Sequence, residues 1–443
     1  MTYQPPKHIL EVMQKIDFEE ALEPDDPRFV PTEQARGAER TQKLLARKLG
    51  LSLSDGVFFP NAQKHILFFG HTGSGKTTEL KRYQRTLAGP ERFYVVEVDI
   101  TNELDRNNLQ YSDVLMAMAR RLIQRLQDDC VPIDLGASKA LEDWFSERVR
   151  TEDRSDEFSA AIQTGAKAKT GLPFLGELFA SFTTAFRSNA TYKESMRMVV
   201  RNTFTQFAEA FNRFLGAAEQ VLEARGRGRR VLFVIDGTDK LRSEDTRRFF
   251  VEDAEQLLAI QALVVYVAPL ALKYEGRLTH KLDADLVLPM IKLAEADDQR
   301  CDDGWNALRE IILRRADRGL FANAADIERI IEFSGGHPRD LLRLLKLACE
   351  YAEDNQIDGP AVDNAIKKLA SEYRRFLEPG DYATLVAIDQ DRIYAGNDER
   401  TRRLLYNLAV LEYNDGSWRR SHPVIRLLEG YILATQPAPG PRA

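Results

Sequence analysis

One glycine-rich segment constrains the fold of this 443-residue chain more than any other feature of its sequence. It fits the pattern G-x-x-x-x-G-K-[ST] and consists of Gly70-His71-Thr72-Gly73-Ser74-Gly75-Lys76-Thr77. The apolar run His65–Phe69 precedes it, and a stretch with helical spacing follows it. Glycines let a chain that passes from strand to helix curl so that successive N–H groups point at one anion. The segment therefore predicts a phosphate-binding loop between a buried strand and a helix.

Each part of this loop has a predicted role in binding ATP and Mg²⁺. The helix that starts at Thr77 would add its positive N-terminal end to the attraction for phosphate. Lys76 would place a cation against the β- and γ-phosphates, and the Thr77 hydroxyl would be a Mg²⁺ ligand. The predicted nucleotide contacts are Gly70, His71, Thr72, Gly73, Ser74, Gly75, Lys76, Thr77 and Thr78.

A second strand end supplies an acidic partner for this loop. The apolar run Val231–Ile235 predicts a buried strand, and Asp236 follows it directly. Because ligands bind outside the carboxyl ends of parallel strands, we expect Asp236 to hold Mg²⁺, mostly through water, opposite Thr77. Asp239 is our candidate for polarising the attacking water, although a helix N-cap would explain the same residue.

Apolar runs that alternate with helical stretches predict an α/β fold with a parallel sheet covered on both faces. From about residue 301 onward the spacing is helical, and Asn414-Asp415-Gly416 then predicts a hairpin. The five apolar runs are His65–Phe69, Arg92–Ile100, Val231–Ile235, Ala262–Ala268 and Asp285–Leu288.

The composition excludes several classes of protein. A net charge of −6 gives no overall attraction for nucleic acid or anionic lipid. The three cysteines form no CxxC pair, which argues against a disulfide framework or a zinc site. No stretch approaches about 18 apolar residues, and the polar N-terminus does not match a signal peptide. We therefore expect a cytoplasmic protein with no membrane contact.

The acidic strand end and a later segment carry a resemblance to known families. The order of strands resembles the additional-strand P-loop ATPases, and Asp236-Gly237-Thr238-Asp239 resembles the STAND signalling ATPases among them. The segment Ser334–Leu342, which contains Gly336-His337-Pro338, is similar to the lid of STAND and origin-recognition AAA+ ATPases. The resemblance implies that this helix leans over the nucleotide and that Arg339 touches the γ-phosphate. It covers roughly residues 30–100 and 228–425.

The chain departs from the family pattern at three places. Gly237 occupies the position at which most AAA+ proteins have a glutamate, so hydrolysis would be slow or would depend on Asp239. The fourth strand ends in Ala268-Pro269, without an Asn or Thr to sense the γ-phosphate. Residues 101–230 exceed what an ATPase core needs and predict a helical insertion. Arg277 is a weak candidate for an arginine finger.

Two helical stretches followed by a hairpin resemble a winged helix, and this allows two interpretations. Arginines on its helix and hairpin would contact DNA phosphates. However, residues 371–443 contain ten arginines and ten acidic residues, so the local charge is about zero. In STAND proteins the winged helix packs on the ATPase instead. The arginines concerned are Arg400, Arg402, Arg403, Arg419 and Arg420.

The predicted fold is a P-loop parallel sheet sandwiched by helices, followed by an α-helical lid and a small winged-helix domain. Within the insertion, residues 172–186 have apolar side chains at helical spacing, which predicts a core-facing helix or a partner surface. The predicted domains are a helical linker region (1–60), an ATPase core (61–295) with an insertion at about 101–228, a lid (296–377), a winged helix (378–430) and a disordered tail (431–443).

These features together predict an ATP-binding and ATP-hydrolysing regulatory switch, with prokaryotic defence or signalling as the setting that the resemblance implies. One alternative is a DNA-binding AAA+ ATPase that loads or remodels a nucleoprotein complex. Another is a nucleotide-bound scaffold with negligible turnover. We expect a homo-oligomer on ATP binding, an unidentified protein partner and DNA contact, if any, through the winged helix.

Overall fold

A computed structural model of the chain describes most of its residues. The described ranges are 3–37, 40–104, 109–133, 136, 138–144, 172–177, 179, 190–241, 243–275, 278, 282–393 and 396–436. Within these ranges no helix combines the length and the apolar character needed to cross a bilayer.

A five-stranded parallel sheet in the order β2-β3-β4-β1-β5 lies at the centre of the part of the chain between Lys64 and Val287. Its central strands are buried on both faces, since Leu67 and Phe69 of β1 pack into one hydrophobic layer and Ile66 and Phe68 into the other. The predicted parallel sheet is confirmed, with strand ends that differ by one or two residues. The strands are β1 (Lys64–Gly70), β2 (Phe93–Asp99), β3 (Arg230–Asp236), β4 (Leu263–Pro269) and β5 (Asp283–Val287).

Helices cover both faces of this sheet. The layer on one face includes the amphipathic helix Tyr111–Asp128 and two helices that are separated at Thr203. Leu175 and Phe179 are buried in the same layer, which favours the core-facing interpretation for the described part of 172–186. The remainder of that segment lies outside the described residues. The helices of the first two-thirds of the chain are Ile9–Lys15, Glu33–Arg36, Thr41–Lys48, Lys76–Leu87, Ile100–Glu103, Tyr111–Asp128, Ala190–Asn202, Phe204–Ala224, Ser243–Arg247 and Ala254–Leu258.

From residue 301 onward, the elements of the described residues are helices except for one antiparallel hairpin. The hairpin consists of β6 (Val410–Tyr413) and β7 (Trp418–Ser421), joined at the predicted Asn414-Asp415-Gly416 turn. The predicted start of the tail at residue 431 is too early, because a helix runs from Glu429 to Ala434 and its Tyr431 hydroxyl donates to Asp389. The winged-helix assignment stays a prediction. The other helices are Asp302–Leu313, Ala324–Ser334, Pro338–Tyr351, Gly359–Arg374, Pro379–Gln390 and Glu399–Tyr406.

Candidate nucleotide-binding site

The glycine-rich segment forms a loop between β1 and the helix Lys76–Leu87, as the sequence predicts. Gly73 and Gly75 have φ angles of 82° and 94°, in the left-handed region that side chains with a Cβ rarely adopt. A Cβ on Gly73 would lie 2.9 Å from the side chain of Arg339, so the close approach of that arginine also requires a glycine. The loop therefore has the curled backbone that a phosphate cradle needs.

Lys76 lies at the centre of the site and already has an anionic partner. Its Nζ forms a 2.7 Å ion pair with Oδ2 of Asp239 and donates to the carbonyl oxygens of Gly70 (3.1 Å) and His71 (2.9 Å). The side chains of Lys76 and Asp239 are only 3% and 7% exposed. A charge this deeply buried needs such partners. Asp239 thus faces the loop rather than capping a helix, since Gly237 precedes the short helical turn Thr238–Lys240.

The two predicted metal ligands lie side by side at the edge of the site. The Thr77 hydroxyl is 3.1 and 3.0 Å from the two carboxylate oxygens of Asp236. Burial, together with the negative charge of Asp239, raises the pKa of Asp236 above its ordinary value. The described residues contain no group of three or more His, Cys, Asp or Glu side chains placed to hold a metal ion.

The loop and the first turn of the helix Lys76–Leu87 line one side of an open cleft. Its other walls come from the end of the helix Asp302–Leu313, the start of the helix Pro338–Tyr351 and the N-terminal segment 18–32. The N-terminal wall contacts the P-loop helix, because the Leu22 amide donates to the Thr78 hydroxyl at 3.2 Å. The sequence did not reveal this wall, since the segment has neither helical nor strand periodicity.

Arg36 is a further site residue that the sequence did not reveal. Its guanidinium is buried and donates to the carbonyl oxygens of Ser74 and Pro289 at 2.6 Å and to the Thr32 hydroxyl at 2.8 Å. Burial lowers the pKa of Arg36. Arg36 thus joins the loop to the segment after β5, and no local pattern indicates a contact over 253 residues.

The helix Pro338–Tyr351 contacts the loop as the resemblance implies. The Arg339 amide donates to the Gly73 carbonyl at 3.3 Å, and His337 Nε2 lies 2.8 Å from the Thr72 carbonyl oxygen. The Arg339 guanidinium lines the cleft and donates to Glu19 of the N-terminal wall at 2.7 Å. A contact with the γ-phosphate stays a prediction.

The side chain of His71 points away from the cleft and contacts the C-terminal hairpin. Its Nε2 accepts from the Glu412 amide at 2.9 Å, and the ring is buried. Burial, with the nearby charges of His337 and Lys76, holds the pKa of His71 well below its ordinary range, so the ring is neutral. The predicted nucleotide contact of His71 can therefore involve only its main chain. Arg277 lies outside the described residues.

Comparison with known proteins finds limited similarity. No family model matches the chain, and no curated protein matches it. Three solved structures share 13–15% of their sequence with it: the Aeropyrum pernix Orc1 protein in complex with DNA, a Walker-type ATPase of Pyrococcus abyssi and Cdc6p of Pyrobaculum aerophilum. The alignment with the Orc1 protein covers 87% of this chain and 80% of that one, with a TM-score of 0.36. The alignment with the Walker-type ATPase covers 88% and 96%, with a TM-score of 0.41, and the alignment with Cdc6p covers 92% and 82%, with a TM-score of 0.33. Similarities of this size establish neither family nor activity.

Proposed function

We propose that the chain is an ATP-binding and ATP-hydrolysing switch of the AAA+/STAND-like kind. The observation that carries the proposal is the convergence of Lys76, Thr77, Asp236 and Asp239 at one left-handed glycine loop. Thr77 and Asp236 would hold Mg²⁺, which neutralises charge on the phosphates when bound. Lys76 would bind the β- and γ-phosphate oxygens.

The ion pair between Lys76 and Asp239 suggests how binding prepares the water-activating group. A phosphate oxygen would replace the Asp239 carboxylate as the anion beside Lys76. The carboxylate then becomes free to accept a proton from the attacking water, a contribution of roughly 10²–10⁴ in rate. This role would compensate for the absence of a glutamate at Gly237.

The contacts of Arg339 and the hairpin support a switch. When ATP binds, the Arg339 side chain would exchange Glu19 for the γ-phosphate, and after hydrolysis it would pair with Glu19 again. This exchange would move the helix Pro338–Tyr351, which carries Arg339. The predicted DNA-contacting arginines already face carboxylates: Arg400 and Arg403 face Asp381, Arg402 faces Glu275, Arg419 faces Glu412 and Arg420 faces Asp298. Two of these pairs, Arg402–Glu275 and Arg420–Asp298, join the C-terminal region to earlier parts of the chain, which favours packing on the ATPase over DNA contact. Homo-oligomer formation on ATP binding, a protein partner and a cytoplasmic location belong to the same proposal.

Calorimetry and phosphate release on the full chain test this function. We expect Lys76→Ala to abolish Mg·ATP binding, since it removes the phosphate-binding cation, whereas the exposed control Lys43→Ala binds normally. Asp239→Asn should retain binding and slow turnover about 10²-fold or more.

Two outcomes of the same measurements contradict parts of the proposal. Wild-type turnover in Asp239→Asn would remove that residue from the mechanism. Absence of multiple-turnover phosphate release in the wild type would favour the scaffold alternative.

A further inference from the structure

The cleft that begins at the glycine loop is lined by four arginines, and one of them, Arg315, lies just beyond the helix Asp302–Leu313. Its walls include six large apolar side chains beside charged and polar ones, and these apolar groups can pack against a flat, weakly hydrated ring. The apolar residues are Phe18, Leu22, Phe29, Val30, Ile311 and Leu342.

Arg315 differs from the other arginines of the cleft in its partners. Arg28 forms ion pairs with Glu20 and Asp26, and Arg339 pairs with Glu19. Arg36 directs its donors at three oxygens around the loop. Arg315 makes no ion pair with any of the described carboxylates.

The remaining donors of Arg315 are available to a ligand. Its Nη1 makes two long contacts, to the carbonyl oxygens of Arg28 (3.3 Å) and Ile311 (3.1 Å). Its Nε and Nη2 have no hydrogen-bond partner in the part of the chain that the structure describes. Burial and the neighbouring positive charge of Arg28 lower the pKa of Arg315 to about 10, so the group stays protonated at neutral pH. A protonated guanidinium donates only, and Arg315 lines the cleft, so it suits an acceptor on a ligand there.

We propose that Arg315 binds the purine ring of the nucleotide by donating to a ring-nitrogen acceptor while the ring lies between the apolar walls. The inference rests on the proposed ATP site and names the part of the cleft that holds the base. Ring nitrogens of purines are acceptors without a proton, and arginine donates to them in other recognition sites. Arg315 would thus make ATP bind more tightly than its phosphate chain alone.

The test compares Mg·ATP with Mg·tripolyphosphate, which has no base, by calorimetry on the full chain. A hydrogen bond to a charged group contributes about 1.5–3 kcal/mol, so we expect Arg315→Met to weaken ATP binding about 10- to 100-fold. Tripolyphosphate affinity should not change. The control Arg309→Met lies on the helix that precedes Arg315 but outside the cleft, where Arg309 pairs with Glu328, and it should change neither affinity.

The ratio of the two affinities distinguishes this inference from the proposed function. If Arg315→Met leaves the ratio of ATP affinity to tripolyphosphate affinity unchanged, including the case in which both affinities fall equally, the role of Arg315 is overturned. If Arg315→Met does not fold, Arg315→Gln replaces it, because glutamine keeps a donor for the Ile311 carbonyl without the charge. In this variant, too, the ratio of ATP affinity to tripolyphosphate affinity should fall. Wild-type protein that binds neither ligand would instead contradict the ATP site itself, as would Lys76→Ala protein that binds both normally.

Discussion

At the scale of single residues, the two acidic side chains of the site, Asp236 and Asp239, have different electrostatic environments. Asp239 already has a cation beside it, whereas Asp236 has only the Thr77 hydroxyl as a side-chain hydrogen-bond donor. An ionised carboxylate in that position is destabilised by burial and by the charge of Asp239, which is why its pKa is raised. Binding of Mg²⁺ would supply the missing positive charge.

Replacing Asp236 tests this account. We expect Asp236→Asn to unfold at the same temperature as the wild type or higher without ligand, since asparagine still accepts from Thr77 and carries no buried charge. The wild type should gain about 2.7 kcal/mol when Mg·ATP exceeds its Kd 100-fold, and the variant should lose most of that gain. Thermal unfolding with and without Mg·ATP measures both effects, with Asp245→Asn as a control outside the cleft. A full ligand-dependent gain in Asp236→Asn would contradict the metal role.

The raised pKa of Asp236 also predicts how binding depends on pH. A carboxyl group whose pKa is raised by folding stabilises the folded protein most at pH values below the pKa that the group has in the unfolded chain. This stabilisation is lost as the pH rises through the pKa that the group has in the folded protein. Metal binding has the opposite dependence, because Mg²⁺ needs the ionised form. Mg-dependent ATP affinity should therefore fall on acidification at a higher pH than for an ordinary aspartate. Calorimetry across the acidic range checks this, and Asp236→Asn should lack the dependence.

At the scale of elements, the start of the helix Pro338–Tyr351 depends on one buried aspartate. Asp340 is fully buried and faces Arg343 at 2.8 Å, the Tyr373 hydroxyl at 2.7 Å, His337 at 3.2 Å and His422 at 3.3 Å. Burial opposes ionisation, but His337 and His422 hold the pKa of Asp340 well below its usual range. The cluster joins the helix Pro338–Tyr351, which we call the lid helix, to His422 in the segment that follows the hairpin.

Removing this carboxylate should be costly. We expect Asp340→Ala to lower the free energy of unfolding by about 3–5 kcal/mol, because two buried histidines and the partly buried Arg343 lose their common acceptor. The control Asp363→Ala removes the partner of Arg329 in a half-exposed ion pair and should cost at most about 1 kcal/mol. Urea unfolding of both variants gives the comparison. Equal costs would mean that the buried cluster does not hold the lid helix.

The elements that could be predicted are those encoded in continuous sequence. The strand β1, its loop and the following helix are adjacent in the chain, and four consecutive apolar residues, Ile66–Phe69, identify the strand in the sequence. The N-terminal wall could not be predicted, since Glu19 reaches Arg339 across 320 residues and Arg36 reaches the Pro289 carbonyl across 253. Likewise, only the folded chain shows that the His71 side chain is turned towards the hairpin.

At the scale of the whole molecule, two separate units contact the same short loop. The start of the helix Pro338–Tyr351 contacts the loop through His337 and the Thr72 carbonyl. The hairpin contacts the loop through the Glu412 amide and His71. The two units also contact each other, because the Tyr413 hydroxyl donates to the Gly335 carbonyl at 2.7 Å. A ligand that rearranges the loop backbone would therefore change the surroundings of the hairpin without touching it.

Hydrogen exchange of the hairpin amides tests this coupling. In the wild type, saturating Mg·ATP should change the exchange of residues 410–421, since the loop that holds His71 closes on phosphate. In His71→Ala the Glu412 amide loses its acceptor and should exchange faster without ligand, and the response of the hairpin to nucleotide should shrink or disappear. Calorimetry on the same variant sets the ligand concentration that gives saturation.

The outcome of that exchange experiment separates a switch from a static assembly. His8→Ala is the matched control, because His8 is exposed and its ring accepts only from the Leu10 amide among the described residues, so its loss should leave the hairpin response intact. If His71→Ala transmits the ligand response at full size, the coupling runs through the lid and the Gly335–Tyr413 contact instead, and Tyr413→Phe should then reduce it. If the wild-type hairpin does not respond at all, the hairpin packs on the loop as a fixed support, because a ligand can shift only those contacts that differ between the two states.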